Sequence, residues 1–101
     1  MDITINKEDS RMTIALIGDF DNVASTKAQR DLAPVFECDD CDILIDCSQL
    51  EYISSSGLRI LLSIFKQAHV NGHAAILKGL TDEVEEAIDM SGLMDLFQIE
   101  K

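Results

Sequence analysis

Two short, wholly apolar runs, Ile43-Leu44-Ile45 and Ala74-Ala75-Ile76-Leu77, flank one long amphipathic stretch. This arrangement constrains the fold more than any other feature of the chain. A continuous apolar run of this length suits a strand covered on both faces, the habit of parallel sheets. Between the runs, Leu58, Leu61, Leu62, Phe65 and Ala68 fall on one stripe, with Arg59, Ser63, Lys66 and Gln67 mostly off it. That spacing predicts a helix with one buried face. Ser54-Ser55-Ser56-Gly57 opens it, and Asn71-Gly72 is a typical stop. Strand, helix and strand in this order make a right-handed crossover.

The flanking segments extend the pattern. Ile3 and Ile5 alternate with Thr4 and Asn6, and Met12, Ile14 and Leu16 alternate with Thr13, Ala15 and Ile17. Both have the period of a half-buried strand, and Asp9-Ser10 supplies a turn between them. Gly18 ends the second strand, and Asp19 to Asn22 is a polar loop broken by Phe20. Ala24, Ala28, Leu32 and Val35 predict a helix from about Val23 to Val35, capped by Asn22 or Ser25, with Pro34 marking its boundary. Glu37 to Asp42 reads as an acidic turn, and Asp46 to Ile53 as a connection to the serine-rich helix. Thr81 caps a third helix, whose first turns hold Asp82, Glu83, Glu85 and Glu86, where the helix dipole favours negative charge. That helix ends before Gly92, and Leu93 to Ile99 holds a final short helix or strand. The order is β-β-α-β-α-β-α with a short last strand, an α/β fold with a parallel or mixed sheet.

The 101 residues form one domain, and the hydrophobic fraction of 47% is enough to fill one core. Eight Lys and Arg against 19 Asp and Glu leave a net charge of −11. Nucleic acid calls for a basic patch, and an anionic membrane surface calls for basic residues, so both are poor partners for this chain. A basic protein partner fits better, because opposite charge speeds encounter. No run approaches the roughly 18 apolar residues of a membrane span, and Met1 to Lys7 lacks a signal-peptide pattern. Three cysteines, Cys38, Cys41 and Cys47, make an odd set rather than a disulfide framework, which points to a reducing cytosol.

Few segments offer chemistry. Ser54-Ser55-Ser56-Gly57 lies where a helix presents unpaired N–H groups and a positive dipole end. A serine there serves as an ordinary cap, or it carries a phosphate that the helix end tolerates. A serine nucleophile has little support: Gly-x-Ser-x-Gly is absent, and Gly72 separates His69 from His73. Cys38-Asp39-Asp40-Cys41 has metal or redox spacing, but no second ligand pair accompanies it, and the neighbouring carboxylates raise the thiol pKa. The reading adopted is loop cysteines with no metal, and Cys47 partly buried. The glycines are too scattered for a phosphate cradle, and no cofactor is implied. Asp21 and Asp46 each follow a strand, which would place both at one sheet edge near the serine-rich helix. A structural role is equally open to each: Asp21 at the next helix start, Asp46 in a hydrogen-bonded loop.

Asp46-Cys47-Ser48, followed by Tyr52-Ile53-Ser54-Ser55-Ser56-Gly57-Leu58, resembles the signature of the STAS domain family. Gly18-Asp19-Phe20-Asp21 and Ser91-Gly92-Leu93-Met94-Asp95-Leu96-Phe97 resemble two further motifs of that family, in its order. The resemblance implies a STAS-type mixed four- to five-stranded sheet with helices packed mainly on one face, spanning 1–101. It implies an anti-sigma factor antagonist, cytoplasmic and without catalysis of its own. Such a protein binds an anti-sigma factor that is also a GHKL-type serine kinase, and so releases a sigma factor. Phosphorylation of a serine ends the binding, and a PPM-type phosphatase reverses it. The phosphoacceptor position falls on Ser55, with Ser54 and Ser56 as alternatives. Ser54 stands where the family often has Asp. Asp21 and Asn22 match loop positions beside the phosphoacceptor, and Ser54, Ser56, Gly57 and Arg59 complete the expected partner surface. Asp46 and Ser48 are expected as structural residues near the site. The alternative is a STAS subunit of a lipid-transport or stressosome-like complex that phosphorylation does not regulate.

Overall fold

The computed structural model describes residues 1–100. The chain opens with an antiparallel hairpin of β1 (Asp2–Glu8) and β2 (Arg11–Phe20). Asp9, at φ 52, makes its turn. Two helices follow, α1 (Asn22–Asp31) and α2 (Ala33–Glu37), and then β3 (Asp42–Ile53). The crossover helix α3 (Ser55–Val70) leads to β4 (Ala75–Lys78), and α4 (Asp82–Met90) leads to β5 (Gln98–Glu100). The sheet runs β1-β2-β3-β4-β5, and every pair after the hairpin is parallel.

All four helices pack on one face of this sheet. One cluster joins Met12, Ile14, Leu16, Ile43 and Ile45 of the strands to Ala28, Val35, Leu61, Ile64, Val84 and Ile88 of the helices. Leu44 and Ile76 are buried as well, side by side in register on the opposite face and outside that cluster. The apolar run at Ile43–Ile45 therefore does not signal helices on both faces. Neighbouring strands shield its second face.

Three elements differ from the sequence expectation. The segment Asp46–Ile53 is not a connection but the second half of β3, which pairs with β2 as far as Ile53↔Phe20. Its alternation is hidden by two register shifts, which place extra β3 residues opposite Ala15–Ile17 and Gly18–Asp19. Each bulge moves later side chains to the other face. The helix expected over Val23–Val35 breaks at Leu32, because Pro34 has no N–H and its ring crowds the carbonyl four residues before it. Pro34 instead sits in the first turn of α2, where a missing N–H costs nothing. The cap of α1 is Asp21, whose Oδ1 accepts from Ala24 N at 2.8 Å, rather than Asn22 or Ser25. The closing segment resolves as a strand, β5.

Candidate functional site at the start of helix α3

Ser54 N donates to the carbonyl of Phe20 at 2.8 Å, so the chain leaves β3 locked to the end of β2. Ser54 then caps α3, its Oγ accepting from Gly57 N at 3.2 Å. At Gly57 a Cβ would lie 2.9 Å from Ile53 Cγ1 and 3.0 Å from Phe20 Cγ. Only glycine lets the first turn of α3 settle this closely on the ends of β2 and β3.

A hydroxyl network joins this turn to α1. Ser56 Oγ donates to Asn22 Oδ1 at 2.6 Å. With that proton committed, Ser54 Oγ is the donor in its 3.1 Å contact with Ser56 Oγ. Ser25, 6% exposed, lies 3.1 Å from Ser56 Oγ and 2.9 Å from the Asp21 carbonyl. Ser55 differs from both neighbours. It is exposed, and its hydroxyl makes no side-chain hydrogen bond among the described residues. At the first position of α3, its own N–H and that of Ser56 lie before the helix ladder begins. Arg59 is exposed one turn later, on the same face as Ser55.

The structure thus gathers Asp21, Asn22, Ser54, Ser55, Ser56, Gly57 and Arg59 around the first turns of α1 and α3. Ser54 and Gly57 are buried there, while Asp21, Asn22, Ser55 and Arg59 face solvent. Asp46 and Ser48 are not brought to this place. Asp46 pairs with Ala15, five β2 residues before Phe20, which is about 16 Å along the strand. Ser48 donates to Asp46 Oδ1 through both Oγ (2.7 Å) and N (3.0 Å). These bonds, the Oγ one foremost, hold the Asp46 carboxyl below the usual carboxylate range. Asp46 and Ser48 fix the bulge of β3 against Gly79, whose positive φ (+72) and 3.0 Å approach to Ser48 Cβ leave no room for a side chain.

Two residues beside these turns escaped the sequence reading. Ser25 appeared only as a possible cap, although a serine on the inner side of α1 is a buried polar group that needs a partner. Val23 appeared only as a helix start, yet it is 83% exposed beside Asn22, at the rim of a groove of about 290 Å³ that includes Met1, Ile3, Ala24 and Lys27.

The cysteines also differ from expectation. Cys38 and Cys41 are joined in a disulfide, so they are not two free loop thiols. Cys47 is fully rather than partly buried, and burial pushes its thiol up to about 12. Among the described residues, no helix is long and apolar enough to cross a membrane.

The STAS domain family matches residues 2–101. BtrV of Bordetella bronchiseptica, named as an anti-sigma factor antagonist, is 27% identical over 99 residues, covering 98% of this chain and 85% of its own. The anti-sigma-B factor antagonist of Bacillus subtilis is 26% identical over 99 residues, covering 98% of this chain and 88% of its own. The phosphorylated form of SpoIIAA, a Bacillus cell fate determinant, superposes with a TM-score of 0.75 at 16% identity, over 99% of this chain and 92% of its own. Match and architecture agree over nearly the whole length, and the chain belongs to the STAS domain family.

Proposed function

We propose that this protein is an anti-sigma factor antagonist whose binding face is the joined first turns of α1 and α3. Its partner is an anti-sigma factor that is also a GHKL-type serine kinase, and binding releases a sigma factor. Phosphorylation of Ser55 ends the binding, and a PPM-type phosphatase restores it. The relatives named as antagonists support the class of function. The observation that carries the switch is the contrast within the serine run: Ser54 and Ser56 have engaged hydroxyls, whereas Ser55 is exposed.

Phosphate adds nearly two negative charges at pH 7. At a helix N-terminus those charges meet a positive dipole end, so the domain stays folded. A partner surface shaped around a neutral serine loses affinity through repulsion and desolvation. The free energy of the switch therefore lies in the interface and not in the fold.

The test compares wild type, Ser55→Ala and Ser55→Asp by partner capture from native lysate, with phosphosite mass spectrometry on the recovered wild type. The expected result is a GHKL-type kinase bound by wild type and Ser55→Ala but not by Ser55→Asp, with phosphate on Ser55. Equal capture by Ser55→Asp would overturn the switch, as would phosphate confined to Ser54 or Ser56.

A further inference from the structure

The corner between α2 and β3 lies outside the α1–α3 surface, and it holds a C-x-x-C pair that the proposed function does not use. Cys41 is 2% exposed and belongs to the core cluster, while Cys38 is only partly buried. Three contacts besides the disulfide clamp this corner. Gln67 Nε2 of α3 donates to the Cys38 carbonyl at 2.9 Å. Asp42 N donates to the Ser10 carbonyl at 2.8 Å. Lys7 Nζ pairs with Asp40 Oδ1 at 3.3 Å. With the backbone held by α3 at the Cys38 carbonyl and by the β1–β2 turn at Asp42 N, the two Cα atoms stay near their 6.5 Å separation when the sulfurs part. A thiol pair kept this close closes again as an intramolecular reaction, at high effective concentration. The held backbone thus favours reclosure once the bond has been opened.

We infer that Cys38–Cys41 is a reversible thiol–disulfide exchange site, opened at Cys38 Sγ by a dithiol reductant. A reductant thiolate attacks Cys38 Sγ, and the Sγ–Sγ bond breaks. Its electron pair goes to Cys41 Sγ, which takes a proton from water. The second reductant thiol, once deprotonated, attacks its partner sulfur in the mixed disulfide and releases Cys38, which is protonated in turn. Two electrons and two protons pass to the chain, and the reductant leaves as its own disulfide. The direction of attack follows from the difference in burial: Cys41 is 2% exposed, and Cys38 is the less buried residue of the pair. Asp40 Oδ1 lies 3.4 Å from Cys38 Sγ, on a chain of net charge −11. An anionic thiol is repelled there, so a neutral dithiol reacts faster than glutathione.

The test treats the native protein with dithiothreitol, labels it with a light maleimide, then denatures it and labels with a heavy one. Without dithiothreitol, only Cys47 takes label, and that label is heavy. With dithiothreitol, Cys38 takes the light label, while Cys41 and Cys47 take the heavy one. Cys47 reports folding, because it is fully buried. In a parallel reduced sample that receives no light maleimide, oxidised glutathione restores the disulfide, so that Cys38 and Cys41 take no heavy label after denaturation. In Cys41→Ser, oxidised glutathione adds to Cys38 at least tenfold faster than it adds to Cys41 in Cys38→Ser. The inference is overturned if Cys38 labels only together with Cys47, which would mean opening by unfolding. It is equally overturned if the pair stays reduced in oxidised glutathione, or if Cys41 reacts as fast as Cys38.

Discussion

Ser56 Oγ donates to Asn22 Oδ1 across 2.6 Å, which ties the first turn of α3 to the first turn of α1. These residues lie 34 apart in sequence, and the bond sets where two exposed helix starts stand relative to each other. Asn22→Ala removes the acceptor and leaves Ser56 to water. Because both groups reach solvent, the stability loss is about 1 kcal/mol. The loss of partner affinity exceeds that figure if the paired helix starts form the binding face. Urea unfolding and partner titration on one preparation separate the two effects.

Gly57→Ala sets two effects against each other. Alanine is the better helix former by about 1 kcal/mol. Its Cβ, however, would meet Ile53 Cγ1 at 2.9 Å and Phe20 Cγ at 3.0 Å, both buried groups with nowhere to move. Overpacking of this kind costs about 1–3 kcal/mol. The clash prevails, and the variant unfolds at lower urea than wild type. A rise in midpoint would show that the first turn of α3 does not seat on Phe20.

Arg59 stands four residues after Ser55, one turn along the same face. A phosphate on Ser55 comes within reach of the guanidinium, and charge-assisted bonds of that kind are among the stronger ones. Phosphorylated wild type therefore melts higher than phosphorylated Arg59→Ala, while the unphosphorylated pair differ little. Equal melting of the two phosphorylated forms rules out the contact.

Val23 is 83% exposed beside Asn22, and an apolar side chain held in water next to the proposed binding face is a natural anchor. Val23→Ser leaves the unfolding free energy within about 0.5 kcal/mol of wild type. It weakens partner binding by about tenfold, roughly 1.4 kcal/mol. Unchanged binding, measured by titration calorimetry, would move the interface away from α1.

Acid stability has a defined sign. Asp42 is held below its usual value of 3.8, first by the hydrogen bond from Ala74 N and then by His73 against opposing burial. Asp46 is held low by Ser48. A folded pKa below the unfolded one gives stability that is present above about pH 4 and lost as pH falls through the folded value. Asp42→Asn and Asp46→Asn each flatten the acid limb of a midpoint-against-pH curve. Wild-type steepness below about pH 4 in both variants would contradict these shifts.

The sequence by itself determined the alternation of strands and helices and the start of the crossover helix. The crossover, a serine cap within Ser54–Ser56, the Thr81 cap and the stop at Asn71-Gly72 rest on local rules: a helix stripe, a missing N–H partner, a residue free to reach positive φ. Those rules act over a few neighbouring residues, so they are legible in order along the chain. Tertiary structure decided the rest. Bulges opposed to β2 made Asp46–Ile53 a strand, and the same extension carried Asp46 and Ser48 away from Ser55. The tie of Asn22 to Ser56 and the seat of Gly57 on Phe20 depend on which segments become neighbours in space. Strand periodicity is broken where a bulge shifts the register, and a hydroxyl's partner across 34 residues exists only once the sheet has set the distance between two helices.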